Sequence, residues 1–270
     1  MKPSHILTIP SLLLLSGVLV LSQDFEVVFL ITDVFLPILL PCIATKTPRR
    51  LIPNIPRHIR HLYIQHNDIE VITSKPFINA TSLREINLNY NKIQSSKVDK
   101  DVFSVLLQLH LEHNNLEDIP TPLPKTLKRL HLGFNKISKI PADATRKLMT
   151  LTVLDLCSNR LTDLENNSIA SIPEGYSKKT PNLLSLRMSH NKLKSIAYSA
   201  FNLSKLMETL EHLYLNHNDF KGNLNISLMC PSLDLGNPTM LTYIRLDNNK
   251  LRGPVDYSAY RCNKAIDLID

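Results

Sequence analysis

Tryptophan is absent from this 270-residue chain, glycine occurs only six times, and phenylalanine and tyrosine occur eight times each. No glycine-rich loop of the kind that cradles a phosphate is present. The Gly-x-Ser-x-Gly nucleophile elbow is also missing, as is any recognisable pair of carboxylates flanking a cleft. These gaps argue against an enzyme, against a cofactor and against a small-molecule substrate. Nucleic-acid signatures are lacking too: there is no helix-turn-helix, no zinc knuckle and no stacking-aromatic motif. Acidic residues are outnumbered only mildly, 24 against 31 basic ones, for a net charge of +7 and a pI near 9.2. The basic side chains are scattered, with Arg49-Arg50 and Lys178-Lys179 as local pairs. That distribution reads as a mildly basic solvated surface, with a sulfated polyanion as the alternative partner.

What the chain does have is leucine at fixed intervals. Eight copies of Leu-x-x-Leu-x-Leu-x-x-Asn-x-Leu/Ile begin at Ile59, Leu83, Leu106, Leu127, Leu151, Leu183, Leu210 and Leu241. Their asparagines are Asn67, Asn91, Asn114, Asn135, Asn159, Asn191, Asn218 and Asn249, and the first four intervals are 24, 23, 21 and 24 residues. This is the period of a leucine-rich repeat. One unit cannot bury its own leucines, so successive units must stack around a shared core. The pattern predicts an α/β-type solenoid, a curved stack with a parallel β-sheet on its concave face. The convex connections should be irregular, 3-10 or polyproline, because prolines recur there, as in Ile52-Pro53-Asn54-Ile55-Pro56 and Ile119-Pro120-Thr121-Pro122-Leu123-Pro124. Each asparagine is expected to turn inward and satisfy backbone groups that the bend leaves unpaired.

The compartment follows from the N-terminus. Residues 1–22 read as a secretory leader, with Lys2, an apolar Ile6–Leu21 run, and Val20 and Ser22 at the −3 and −1 positions of a cleavage site. A second apolar stretch, Val27–Leu40, contains Asp33 and Pro37 and is short for a membrane span. Four N-glycosylation sequons, at Asn79, Asn166, Asn202 and Asn225, agree with secretion, and all lie outside the Leu-x-Leu segments. Of the four cysteines, Cys230 and Cys262 flank the last repeat and are expected to form a disulfide that clamps the open end of the stack. Cys42 and Cys157 either stay free or pair with cysteines outside this sequence.

Strand parity sorts the intervening residues. Outward positions hold eight of the ten histidines, together with tyrosines, arginines and a few carboxylates. One mid-strand column should carry Tyr63, His110, His131, Arg187, Tyr214 and Arg245, a polar and aromatic face suited to a long protein partner. Histidine pairs such as His110 with His113, or His61 with His66, could approach a metal. No ligand set with a supporting carboxylate is evident along the chain, so no metal site is expected. Cys157 near His131 is the single conceivable nucleophilic pair, and chance accounts for it.

Several stretches go beyond the generic leucine pattern: Ile52–Asp68 (IPNIPRHIRHLYIQHND), Phe77–Ile93 (FINATSLREINLNYNKI), Leu107–Leu116 (LQLHLEHNNL), Leu183–Leu193 (LLSLRMSHNKL), Leu210–Asn218 (LEHLYLNHN), Met229-Cys230-Pro231 and Leu241–Leu251. With the leader and the terminal cysteine pair around a long penultimate unit, they resemble the small leucine-rich proteoglycans over most of residues 51–262. The resemblance implies a secreted extracellular-matrix protein that binds collagen fibrils, with a cell-surface integrin as a further partner. It also implies keratan sulfate on some sequons and a place in mineralised tissue. A cell-surface recognition module is the competing class. The implied organisation is a leader at 1–22, an atypical segment at 23–50, repeats at 51–223, and a long penultimate repeat with its cap at 224–270. The chain departs from the family in offering only Cys42 where a four-cysteine cap is usual. Its later asparagine intervals, 32, 27 and 31 residues, are too long for one unit and too short for two. Acidic, tyrosine-rich flanks are missing as well, so mineral binding does not carry over, and the pattern points to a shortened or incomplete chain.

The cysteine assignment is directly testable. Peptide mapping of secreted protein under non-reducing conditions should recover Cys230 joined to Cys262, and two free thiols in folded material would overturn the end clamp.

Overall fold

The structure, a computed structural model, describes residues 50–100, 102–140, 148–162, 182–194, 209–222 and 242–251. It also gives the strand backbone of 18–22, 25–29 and 267–269. The repeat strands are β3 (His61–Tyr63), β4 (Glu85–Asn87), β5 (Gln108–His110), β6 (Arg129–His131), β7 (Val153–Asp155), β8 (Ser185–Arg187), β9 (His212–Tyr214) and β11 (Tyr243–Arg245). All eight are parallel and paired in chain order without a slip, so the predicted solenoid with its parallel concave sheet is what forms. Two flanking segments extend the sheet. Here β1 (Val18–Ser22) lies parallel to β3 and carries the antiparallel β2 (Phe25–Phe29) outside it, and β13 (Asp267–Ile269) lies parallel to β11. A separate parallel pair joins β10 (Lys221–Gly222) to β12 (Lys250–Leu251).

Each repeat strand is three residues long and centred on one inward side chain, as in His61-Leu62-Tyr63, with Leu62 fully buried and its neighbours facing out. The core repeats this unit. Ile59, Leu62, Ile64 and Ile69 are wholly enclosed, and so are Leu106, Leu109, Leu111 and Leu116 two units further on. Burying each such side chain contributes about 2 kcal/mol. On the convex side the connections are short 3-10 turns, Lys75–Phe77 and Ser95–Lys97, and the proline-bearing stretch 119–124 shortens the unit that ends at Asn135. Phe103 plugs the convex side of its unit at 2% exposure, and Phe77 packs against the same core.

The asparagines stitch the units together. The Asn135 Nδ2 group donates to the carbonyls of Leu132 and Gly133 in its own turn and to Leu111 in the preceding unit, at 3.0, 3.1 and 2.8 Å. Its Oδ1 accepts from the Leu116 N–H at 3.0 Å. The same four contacts recur at Asn91, Asn114, Asn159, Asn191 and Asn218. Asparagine alone among small side chains offers two donors and an acceptor in one plane, which is why the position is invariant within the chain.

The segment expected to end the leader, Val18–Ser22, is thus the strand that covers the edge of β3. Removal after Ser22, as the sequence predicts, would leave that edge without its parallel neighbour. Cys42, Cys230, Cys262, Asn166, Asn202 and Asn225 lie outside the described residues. Asn79 does not: it is exposed, just past the Lys75–Phe77 turn.

Replacing Asn135 with Ala leaves the buried Leu116 N–H without its acceptor, while the carbonyls of Leu111, Leu132 and Gly133 each keep a second donor, from Asn114, Asn159 and His113. Denaturant unfolding should show a loss of about 1–3 kcal/mol, the cost of one buried polar group left unpaired. Lys139→Ala on the exposed convex side should leave the midpoint unchanged.

Candidate binding surface on the concave sheet

The unbroken register turns outward residues into columns. One column runs Tyr63, Asn87, His110, His131, Asp155, Arg187, Tyr214 and Arg245. The six residues singled out from strand parity therefore do share one line, with Asn87 and Asp155 interposed. A second column runs His61, Glu85, Gln108, Arg129, Val153, Ser185, His212 and Tyr243.

The turn that follows each strand supplies a further row. His66, Tyr90, His113, Phe134, Ser158, His190, His217 and Asn248 precede the eight asparagines, and all have left-handed backbones with φ between 53° and 57°. None is glycine, and that conformation costs a non-glycine residue roughly 1–2 kcal/mol. The asparagine contacts hold it in place and aim each ring outward. His66, Tyr90, His113 and Phe134 stack in series, with centroids 4.4, 4.1 and 4.1 Å apart. Ser158 interrupts the series, and His190 and His217 resume it at 4.0 Å. Tyr90 and Phe134 are about half exposed, so the edge of the concave face is an open aromatic rail.

Carboxylates organise the N-terminal half. Glu85 accepts from the Tyr63 hydroxyl at 3.3 Å, lies 3.2 Å from the His61 Nδ1 and sits 3.8 Å from the His110 Nε2. Burial first, then the neighbouring Glu85 charge, pushes the Tyr63 phenol above its ordinary range. Glu112 is fixed by Asn89, whose Nδ2 donates to its Oε2 at 2.7 Å and whose Oδ1 accepts from its backbone N–H at 2.8 Å. In the C-terminal half, the Arg187 guanidinium lies 5.0 Å over the Tyr214 ring and 3.9 Å from Asp155. Arg245 donates to Asp247 at 2.6 Å.

One side chain departs from the expected open face, and a second bears on the nucleophile question. His110 is not an open surface group: its side chain is 20% exposed, and its ring stacks on His131 at 4.6 Å. Cys157 points to the concave side as parity predicts, but its thiol is pushed up to about 12 by burial and by the adjacent Asp155 charge. A thiol held protonated in this way is a poor nucleophile, which removes the Cys157–His131 pair from consideration.

The structure also assembles a group that chain spacing did not reveal. His110, Glu112 and His131 bring one ligand atom each to within 4.8 Å of one another. The expectation of no ligand set rested on pairs within one unit, whereas this set spans two. Aligning consecutive copies would have found it, because His110 and His131 occupy the same place in their repeats.

The comparisons accord with this architecture. The leucine rich repeat model matches residues 57–116, 125–168 and 163–220. Osteomodulin from Bos taurus is 44% identical over 271 residues that cover 79% of this chain and 64% of that protein. Keratocan from Homo sapiens is 34% identical over 81% of each chain. The chain belongs to the leucine-rich-repeat family, in the small leucine-rich proteoglycan branch that includes osteomodulin and keratocan. Less than two thirds of the length of its osteomodulin relatives is spanned. Solved structures share the fold. A chain in the octameric complex of Latrophilin 3, Unc5D and FLRT2 has a TM-score of 0.58 at 21% identity, covering 80% of this chain and 71% of its own. An internalin from Listeria monocytogenes reaches 0.57 at 21% identity, covering 84% and 59%.

Burial dominates in lowering the affinity of His110 and His131 for a proton below the ordinary value of 6.5. Glu85, Glu112 and Asp155 oppose the shift, while Arg129, Arg187 and the neighbouring imidazole reinforce it. Below about 6.5 the unfolded chain then binds more protons than the folded one, so this contribution is complete at neutral pH and is lost as pH falls. The denaturant midpoint should drop between pH 7 and pH 5, and His131→Gln should flatten that slope relative to the parent chain.

Proposed function

We propose that this chain is a secreted, non-enzymatic component of the extracellular matrix that holds a collagen fibril along its concave face. The observation that carries the reading is the column from Tyr63 to Arg245: a continuous line of rings, an amide, a carboxylate and guanidinium groups across the eight repeat strands. Adjacent strands lie about 4.8 Å apart, so the line extends over roughly 34 Å and suits an elongated partner. Its carboxylates are tied to neighbours, Glu85 to the Tyr63 hydroxyl and the His61 ring, Asp155 to Arg187 and Asp247 to Arg245, and Arg129 and Glu112 balance in sign, so the face presents hydrogen-bonding groups rather than a field of one sign. That favours a polar protein over a sulfated glycosaminoglycan. The exposed Asn79 lies on the connection side, where an N-linked glycan would leave the concave surface clear. Membership of the small leucine-rich proteoglycans supports the matrix setting, and an integrin remains a further partner of the same surface.

Binding to reconstituted collagen fibrils tests this reading. Alanine at Tyr63, Arg187, Tyr214 or Arg245 should weaken binding by roughly 1–2 kcal/mol each, as aromatic and arginine anchors do. At the stacked pair His110 and His131, glutamine is the suitable replacement, since it retains polarity over a half-buried site. Lys97→Ala and Lys139→Ala on the convex side should have no effect. Convex changes that abolish binding while concave ones spare it would overturn the proposal. Binding that vanishes at moderate salt would point instead to a sulfated polyanion, whose contacts are screened beyond about 8 Å at physiological ionic strength.

A further inference from the structure

Within the concave face, the cluster of His110, Glu112 and His131 differs from every other polar grouping among the described residues. It alone combines two imidazoles with a carboxylate whose ligand atoms lie within 4.8 Å of one another. The two rings are stacked, with centroids 4.6 Å apart and planes 8° from parallel. The His110 Nε2 is buried and has no hydrogen-bond partner, although Glu85 lies 3.8 Å away. An imidazole nitrogen withdrawn from water with nothing to bond is an uncommon arrangement and calls for an occupant.

The surroundings favour a cation. Glu112 is held by two hydrogen bonds to Asn89, the kind of outer contact that orients a ligating carboxylate. Gly133 follows immediately in the next unit, and its missing side chain leaves a bay. A methyl group there would meet Asp155 Oδ1 at 3.7 Å and Glu112 Oε1 at 3.8 Å. The neighbouring strands thus contribute carboxylates from Glu85 on one side and Asp155 on the other, and the site opens toward the concave surface rather than the core.

We propose that His110, His131 and Glu112 form a binding site for a divalent transition-metal ion of the zinc type. Two imidazoles and one carboxylate are a donor set that zinc accepts with one position left for water or an outside ligand. Calcium and magnesium, which take oxygen ligands, are disfavoured. Tetrahedral zinc with bonds of about 2.0 Å needs ligand atoms roughly 3.3 Å apart and lies in the plane of each ring it binds, so the two stacked imidazoles must swing out of their parallel arrangement for the set to close. The open position faces the groove, where a carboxylate or imidazole of a bound protein could complete the shell. The site stands independently of the collagen reading, because it rests on this cluster alone.

The test uses the full chain without a histidine tag, stripped with a chelator and titrated with zinc chloride by calorimetry. One high-affinity ion per chain is expected, with a rise in melting temperature by mass action. His131→Gln and Glu112→Gln should each weaken zinc binding about tenfold or more. His217→Gln, in the other imidazole stack, and Cys157→Ser should not change it. Should either histidine variant fail to fold, footprinting of the parent chain with diethyl pyrocarbonate supplies the same answer. Zinc should shield His110 and His131 and leave His212 reactive. Equal zinc binding by parent and by His110→Gln/His131→Gln, a loss that follows Cys157 or His217, or footprints at His110 and His131 unchanged by zinc would each overturn the site.

Discussion

Everything on the concave surface depends on one amide. The asparagine at the end of each strand donates twice within its own turn and once to the unit before it, and accepts from that unit's next N–H. Those contacts hold the residue before the asparagine in a left-handed conformation that its side chain would otherwise resist. The turn in turn fixes where the strand ends and where the ring of His66, Tyr90, His113 or Phe134 points. Leucine burial supplies most of the favourable energy and decides which residues of each strand face inward. The asparagines pin each turn to the unit before it, and the straight columns of the sheet follow from the two together.

The surface built on this frame is polar without being strongly charged. Glu85, Glu112, Asp155 and Asp247 alternate with Arg187, Arg245 and a set of imidazoles, and most of these groups already have partners within the face. Such prearranged groups lose little freedom when a partner arrives. Recognition then rests on fit along a line, and long-range attraction has a small part in it. The net charge of +7 belongs to the molecule as a whole and is not concentrated on this face.

How much of this was legible in the sequence varied with the distance over which the information acts. The solenoid, the parallel sheet and the line from Tyr63 to Arg245 could be read because leucine spacing and strand parity are local properties that repeat. The role of the asparagines was readable for the same reason. The site at His110, Glu112 and His131 was not, because its members become neighbours only across units, which spacing within one unit does not show. The half-burial of His110 was equally hidden, since parity says which way a side chain faces but not what stacks on it. Cys157 shows a third kind of gap. Its direction followed from parity, whereas its inertness depends on the carboxylate of Asp155 and on the depth of the turn.

The asparagine contacts also have a direction. Each amide reaches back to the unit that precedes it in the chain, as Asn91 does to Ile64 and Ile69 and Asn114 does to Leu88 and Ile93. A unit is therefore completed by the one that follows. During synthesis, which delivers the units from the N-terminal end, each newly emerged asparagine closes the turn before it, so one unfinished turn at a time trails at the growing end. The polarity of the ribosome and that of the stack coincide, and the molecule can be assembled in the order in which it is made.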